Sequence, residues 1–337
     1  MSDRVPEDCP VKAAACGKPK FSRAVELFRN IAGLSRLIRE NQPHIVFSGG
    51  NHGHIALHLA LLISGRRRST RLLLRASNSS RRKQTPLHRL KSRLNNHIKY
   101  AGADLIVAVC HELAAEIAEV YDRKRIKVIP NGVDIEKVNH LKQAPVSHPW
   151  LGDSRANGPV IISMGRLAPQ KGFDLLMKAF AELPLELDAR LMIIGTGSPS
   201  QTASHLALAH RLGIENRTEF CGYVANPFAL MARADLFVSS SRWEGASNAL
   251  LEALACGVRV VATNCPTGNT EIINEIGHGK LAQSGDSNAL KEAILDQLGY
   301  PNDPVGQSLS VQRLLDIKLC LDQWTNLLSN EYHKPLS

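Results

Sequence analysis

At 337 residues the chain is long enough for two domains, each with a core of its own. A hydrophobic content of 44% with few aromatic residues excludes a disordered chain, and no apolar run reaches the roughly 18 to 20 residues that span a bilayer. The formal net charge of +10 is unevenly placed, with +14 on residues 1–145 and −4 on residues 146–337.

The first twenty residues mix acids, prolines and lysines and lack the apolar centre of a signal peptide, so the chain is expected in the cytoplasm. FSRAVELFRNIAGLSRLIREN (21–41), HIALHLALLISG (54–65) and HELAAEIAEVY (111–121) have helical period. HIVFS (44–48), RLLLR (71–75), DLIVAV (104–109) and IKVIP (126–130) read as buried strands. Seven scattered cysteines without a Cys-x-x-Cys pair read as buried thiols, not as a disulfide or zinc framework. His52, His54 and His58 come closest to metal-ligand spacing, but no acid lies near them, and no metal is expected.

No acidic residue occurs between Asn41 and Ala103, while Arg66 to Lys99 contains twelve basic ones. A solvated face is the plain reading of such a run, but its length favours an anionic partner. From Arg66 to Tyr100 the one Phe, Tyr or Trp is Tyr100, which disfavours nucleic acid. An anionic membrane surface is the expected partner, with peripheral attachment to the inner face of the plasma membrane. Each Lys or Arg near the headgroups contributes on the order of 1 kcal/mol.

KQAPVSHPWLGDSRANGP (142–159) is rich in turn formers and reads as a linker, dividing the chain into domains 1–145 and 146–330. The strand–helix alternation then restarts with PVIISMG (159–165), RLMIIG (190–195), TEFCG (218–222), DLFVSS (235–240) and RVVAT (259–263). Such alternation predicts two α/β domains with parallel sheets and a ligand cleft at the carboxyl ends of the strands.

Two motifs in the second half carry chemistry. In SRWEGASNALLEALACG (241–257), Glu244 lies in the loop leaving a strand and Glu252 on the following helix. Eight residues turn a helix about 80° beyond two full revolutions, so the two acids reach one ligand only if one approaches from the loop and the other from the helix. Gly245 would admit a close backbone approach to that ligand, Ser247 or Asn248 would cap the helix, and Gly257 would end it. In GRLAPQKGFDLL, Arg166 and Lys171 stand in the loop before a helix, where two cations and a helix N-terminus suit a diphosphate. Solvated loops remain the plainer reading of either motif taken alone. A dinucleotide dehydrogenase is disfavoured, because GTGSPS (195–200) gives only part of the Gly-x-Gly-x-x-Gly pattern.

GRLAPQKGFDLLMKAFAEL (165–183), LMIIGTGSP (191–199), residues 220–273 and NGVD (131–134) together resemble the family-4 glycosyltransferases. The likeness runs from about Phe21 to Leu328, is highly specific over residues 160–275 and is weak before residue 100. It implies a retaining enzyme of the GT-B fold, with two facing Rossmann-like domains and an interdomain cleft. The family's glutamate-x7-glutamate element matches Glu244 to Glu252, and Cys265 to Ile272 resembles the Cys-Pro-x-Gly-x-x-Glu-Ile turn of one branch. That branch commonly moves hexoses or N-acetylhexosamines from UDP onto lipid-linked or surface-polysaccharide acceptors, as in lipopolysaccharide biosynthesis.

Carried over, the resemblance implies that Arg166 and Lys171, beside Gly165, hold the donor diphosphate and that Glu252 accepts the ribose hydroxyls. Glu244 would face the sugar, with Gly245, Ala246, Ser247 and Asn248 beside sugar or phosphate and Tyr223 and Val224 beside the base. No metal or other cofactor is implied, the UDP-sugar being a substrate. Members of the family are thought to react on one face of the sugar, the donor phosphate taking the acceptor's proton.

This chain departs from the pattern in its first half. The usual opening strand and its glycine loop are not recognisable, SGGN supplies only Gly49, Gly50 and Asn51 on the acceptor side, and Ala76 and Ser77 stand where many relatives carry a histidine. A truncated or catalytically inactive nucleotide-sugar-binding relative is the alternative reading.

Overall fold

The computed structural model describes residues 23–80, 86–152, 158–299 and 316–334. The first sheet contains β1 (Ile45–Ser48), β2 (Arg71–Ala76), β3 (Leu105–Ala108) and β4 (Ile126–Val128), all parallel and in chain order. Right-handed crossovers in a sheet of this order set the connecting helices on one face. These are α2 (His54–Ile63), α3 (Pro86–Lys99) and α4 (His111–Ala118), joined there by α1 (Arg23–Asn41). Alternation along β2 sends Leu72, Leu74 and Ala76 to the helical layer and Leu73 to the opposite face.

After α5 (Ile135–Leu141), the second sheet holds β5 (Val160–Met164), β6 (Arg190–Ile194), β7 (Thr218–Gly222), β8 (Leu236–Ser239), β9 (Arg259–Thr263) and β10 (Lys280–Ala282). Its order is β10-β9-β8-β5-β6-β7, again parallel. The intervening helices are α6 (Phe173–Ala181), α7 (Pro199–Arg211), α8 (Pro227–Met231), α9 (Asn248–Cys256), α10 (Asn269–Ile276) and α11 (Ser287–Gly299). Val160, Ile162 and Phe237 point into one core and Ile161, Leu236 and Val238 into another, which is why these strands read as continuous apolar runs. Two parallel-sheet α/β domains facing one cleft are the expected GT-B architecture. The nine strands foreseen are present, and β10 is additional.

The domain boundaries need correction at both ends. Val133 and Val138 pack into the second domain's core, so that domain begins before residue 146. The last helix, α12 (Ile317–His333), returns to the first domain, where Cys320, Trp324 and Leu327 cover Leu73, Leu105, Val107 and Ile129. The exposed face of the first sheet needs an apolar cover, and α12 provides it.

The basic stretch is also less uniform than its charge suggests. Arg67 makes two 3.0 Å bonds to Asp104, Arg71 pairs with Glu331 at 3.2 Å, and Arg75 donates to Asn131. Arg68, Arg89 and Lys91 stay exposed, as does Arg93 while pairing with Glu119 at 3.2 Å, and Arg81, Arg82 and Lys83 lie outside the described residues.

His54 is buried where β1 meets β2. Its Nδ1 lies 2.8 Å from Ser48 Oγ and its Nε2 3.1 Å from Arg75 O, so both ring nitrogens serve the fold. Burial lowers its pKa from 6.5 to about 4. A lowered folded value means that this contribution is complete above pH 6.5 and is lost as pH falls toward 4. The loss should reach about 3 kcal/mol, measured by urea unfolding at each pH. His54→Gln should flatten that part of the profile, and an unchanged profile would show that His54 titrates normally.

Candidate active site

The order of the second sheet reverses between β5 and β8, and the loops leaving these two strands therefore open side by side. Gly165 continues β5 by donating its N–H to Ile194 O at 2.9 Å. A Cβ at Gly165 would strike the aliphatic stem of Lys171, which lies across it. Gly172 adopts φ +62 at the start of α6, and a Cβ there would overlap Ser240 O. Ser240 Oγ donates to Lys171 O at 2.9 Å, Arg242 N to Gln170 O at 2.7 Å, and the Arg242 guanidinium grips Asp174 with two bonds of 2.7 Å. The guanidinium beside Asp174 lowers that carboxyl's pKa against the opposing effect of burial.

This stitching brings Lys171 Nζ to 2.6 Å from Glu244 Oε1. Glu244 is only 5% exposed, and its carboxylate also accepts from Ser241 Oγ at 2.6 Å and Gln170 Nε2 at 3.2 Å. A carboxylate so far from water is tolerated only with a cation and several donors around it.

Helix α9 begins three residues beyond Gly245. Ser247 occupies the N-cap position, but its hydroxyl makes no cap bond and, although 2% exposed, has no partner among the described residues. The first turn therefore lacks the side-chain cap the sequence suggested, leaving a hydroxyl able to bond a ligand at a helix N-terminus. Asn248 Oδ1 accepts from Asn131 Nδ2 at 2.6 Å, and Gly257 ends the helix at φ +86.

A cavity of about 810 Å³ opens beside this turn. Gly165, Arg166, Tyr223, Val224, Asn248 and Glu252 all line it. Gly222, at φ +64, turns the chain after β7 so that Tyr223 and Val224 reach the wall. Lys171, Glu244, Gly245, Ala246 and Ser247 lie just outside the lining. Asp134, Lys137, Thr196 and Phe228 also line the cavity. NGVD was the signal for Asp134, which caps α5 by accepting from Lys137 N at 2.9 Å. Gly49 instead lines a separate apolar pocket of about 380 Å³ with Phe47, Arg75, Trp324 and Leu328. Asn51 lines neither pocket: its amide accepts from Ser77 N and donates to Asn78 O, both at 3.2 Å. Gly50 belongs to the same loop and accepts from Gly53 N.

The close approach expected at Gly245 is to protein. Gly245 bridges Asn78 of the first domain, and a Cβ would overlap Ser77 O. Its carbonyl accepts from Cys110 Sγ at 3.1 Å, and burial pushes that thiol up to about 12. Ala246 packs against the first domain's core. Nearby, two helix N-termini exchange acids. Glu271 at the start of α10 accepts from His111 N and Glu112 N of α4 at 2.9 and 3.0 Å, while Glu112 accepts from Gly268 N at 2.8 Å. Each carboxylate thus meets the positive end of the opposite domain's helix.

Comparison with known proteins agrees with this geometry. Residues 158–299 match the model for glycosyl transferases group 1, and residues 4–137 match the model for glycosyltransferase family 4. HepE from Anabaena, in complex with UDP-glucose, superposes with a TM-score of 0.72 at 22% identity over 92% of this chain and 84% of that one. Sucrose-phosphate synthase from Thermosynechococcus elongatus gives 0.73 at 18% identity, over 93% and 80%. The fold is therefore the GT-B fold. Its first half resembles the family-4 model and its second half the group 1 model.

Among curated relatives, a Campylobacter jejuni N-acetylgalactosaminyltransferase acting on a diphospho-undecaprenol-linked sugar is 28% identical, across 59% of this chain and 52% of its own length. The Bacillus anthracis N-acetyl-alpha-D-glucosaminyl L-malate synthase is 31% identical, across 61% and 53%. The chain spans little more than half the length of these relatives.

Lys171→Ala would leave the Glu244 carboxylate buried without its cation. We expect a stability loss of about 3 kcal/mol or more in urea unfolding. Adding Glu244→Gln should recover much of it, and equal stability of the single variant and the parent would refute a structural role for the pair.

Proposed function

We propose that the protein is a retaining, metal-independent glycosyltransferase that moves a hexose or N-acetylhexosamine from a UDP-sugar to a lipid-linked or surface-polysaccharide acceptor. The carrying observation is that Arg166 and Glu252, together with the uncapped first turn of α9, converge on one cavity at the switch point of the second sheet. The Cys265–Ile272 turn supports this reading by its resemblance to the branch that uses such donors.

In this reading Glu252 accepts the ribose hydroxyls, a pairing in which a charged acceptor strengthens both bonds. Tyr223 and Val224 flank the base. Ser247 Oγ and the first amides of α9 meet the phosphates or the sugar. The bond between sugar C1 and the phosphate oxygen breaks with its electron pair going to UDP, and Arg166 and Lys171 stabilise the departing charge. Their charges take the place of a divalent metal. The acceptor hydroxyl bonds C1 on the same face and gives its proton to the departing phosphate oxygen. Glu244 holds Lys171 in place and faces the sugar. The acceptor comes from the side of Gly49, Gly50 and Asn51, at an anionic membrane surface to which the basic stretch is drawn from the cytoplasmic side.

Glu252→Ala should weaken UDP binding by about 1 to 3 kcal/mol in calorimetry, and unchanged affinity would remove Glu252 from the site. Arg166, being exposed, can be replaced without disturbing the core. Arg166→Ala should lower kcat roughly 100- to 1000-fold in a UDP-release assay across a panel of UDP-sugars, with activity retained in EDTA. UDP binding without release from any donor would establish the non-catalytic relative instead.

A further inference from the structure

Helix α3 is amphipathic in the reverse sense for a globular protein. Its polar side faces inward: Ser92 Oγ and Asn96 Nδ2 donate to the buried Glu116 carboxylate at 2.9 and 3.1 Å, alongside Ser80 N at 3.1 Å. Its apolar side faces outward: Leu87, Leu90, Leu94 and Ile98 are each more than half exposed. At 100° per residue these four fall within an arc of about 80°, roughly opposite Ser92 and Asn96. Neighbouring α2 presents Ile55, Leu59 and Leu62 outward from the same helical layer. Exposed apolar residues gathered along one helical face mark an interaction site.

We infer that the outward face of α3 inserts into the headgroup boundary of an anionic bilayer, with Leu90 and Leu94 at its centre. Charge selects this occupant. Lys91 borders the apolar arc on one side and Arg93, which also pairs with Glu119 at 3.2 Å, on the other, while the chain from Asn41 to Ala103 contains no carboxylate. Cations flanking an apolar stripe suit a helix lying in the plane of anionic headgroups. A second copy docking through the same stripe would bring cations of like sign together at its rim, with no carboxylate from residues 41–103 to offset them. The inference rests on the membrane-surface part of the proposed function and is independent of the donor chemistry.

The test uses the full chain with vesicles of mixed phosphatidylglycerol and phosphatidylcholine, and of phosphatidylcholine alone. The parent should sediment with the anionic vesicles. Leu90→Ser combined with Leu94→Ser should weaken this about tenfold or more, with unchanged circular dichroism and UDP affinity. Leu185→Ser, at an exposed site in the second domain, should have no effect. Leu94→Trp should add fluorescence quenched by lipids brominated in their acyl chains. Full partitioning of the double serine variant, or no such quenching, would overturn insertion while leaving surface attraction intact. Absence of the parent from anionic vesicles, with a concentration-dependent dimer that Leu90→Ser dissociates, would overturn it in favour of a protein interface. UDP calorimetry on the same samples reports the donor site separately.

Discussion

Between the carboxyl ends of β5 and β8, a carboxylate withdrawn from water is held by an ammonium arriving from the other loop. Neither Glu244 nor Lys171 could occupy its place without the other. Gly165 yields room for the lysine stem, and Gly172 lets α6 start against Ser240 O. Thr267 Oγ1 and Ser79 N both donate to the backbone carbonyl of Glu244, so the turn after β9 and the first domain meet at the same residue. The ion pair is thus where the two loops, and through them the two domains, are registered. Desolvation makes such a pair costly to assemble and costlier to leave half made.

That arrangement bears on the cavity more than on stability alone. Arg166 is exposed and reaches the cavity directly, whereas Lys171 is tethered by Glu244 just behind Gly165. One cation is thus available to a ligand at once, and the other is positioned in advance. Fixing charge before a reaction begins avoids reorganising it at the transition state. Ser247 has a similar character, as a buried hydroxyl at a helix start without a partner among the described residues.

Much of the second domain was legible because its strands are buried on both faces and end in glycine-bearing turns. Glu244 and Lys171 could be read singly, but their contact could not, since it spans 73 residues and depends on the reversal of strand order. The strand β10 was missed because Lys-Leu-Ala carries no β-branched residue. The bridge from Gly245 to Asn78 was invisible for another reason: a glycine in sequence signals close approach without naming the partner. Helix α3 was obscured by its own charge. Counting arginines and lysines concealed the spacing of Leu87, Leu90, Leu94 and Ile98, and nothing local revealed that Glu116, on a later helix, would turn the polar side inward.

The return of α12 to the first sheet means that the polypeptide crosses between domains twice, once before β5 and once after α11. The chain therefore joins the two halves at two points instead of one. Between those points the Glu112 and Glu271 carboxylates bind the facing helix starts and fix one register.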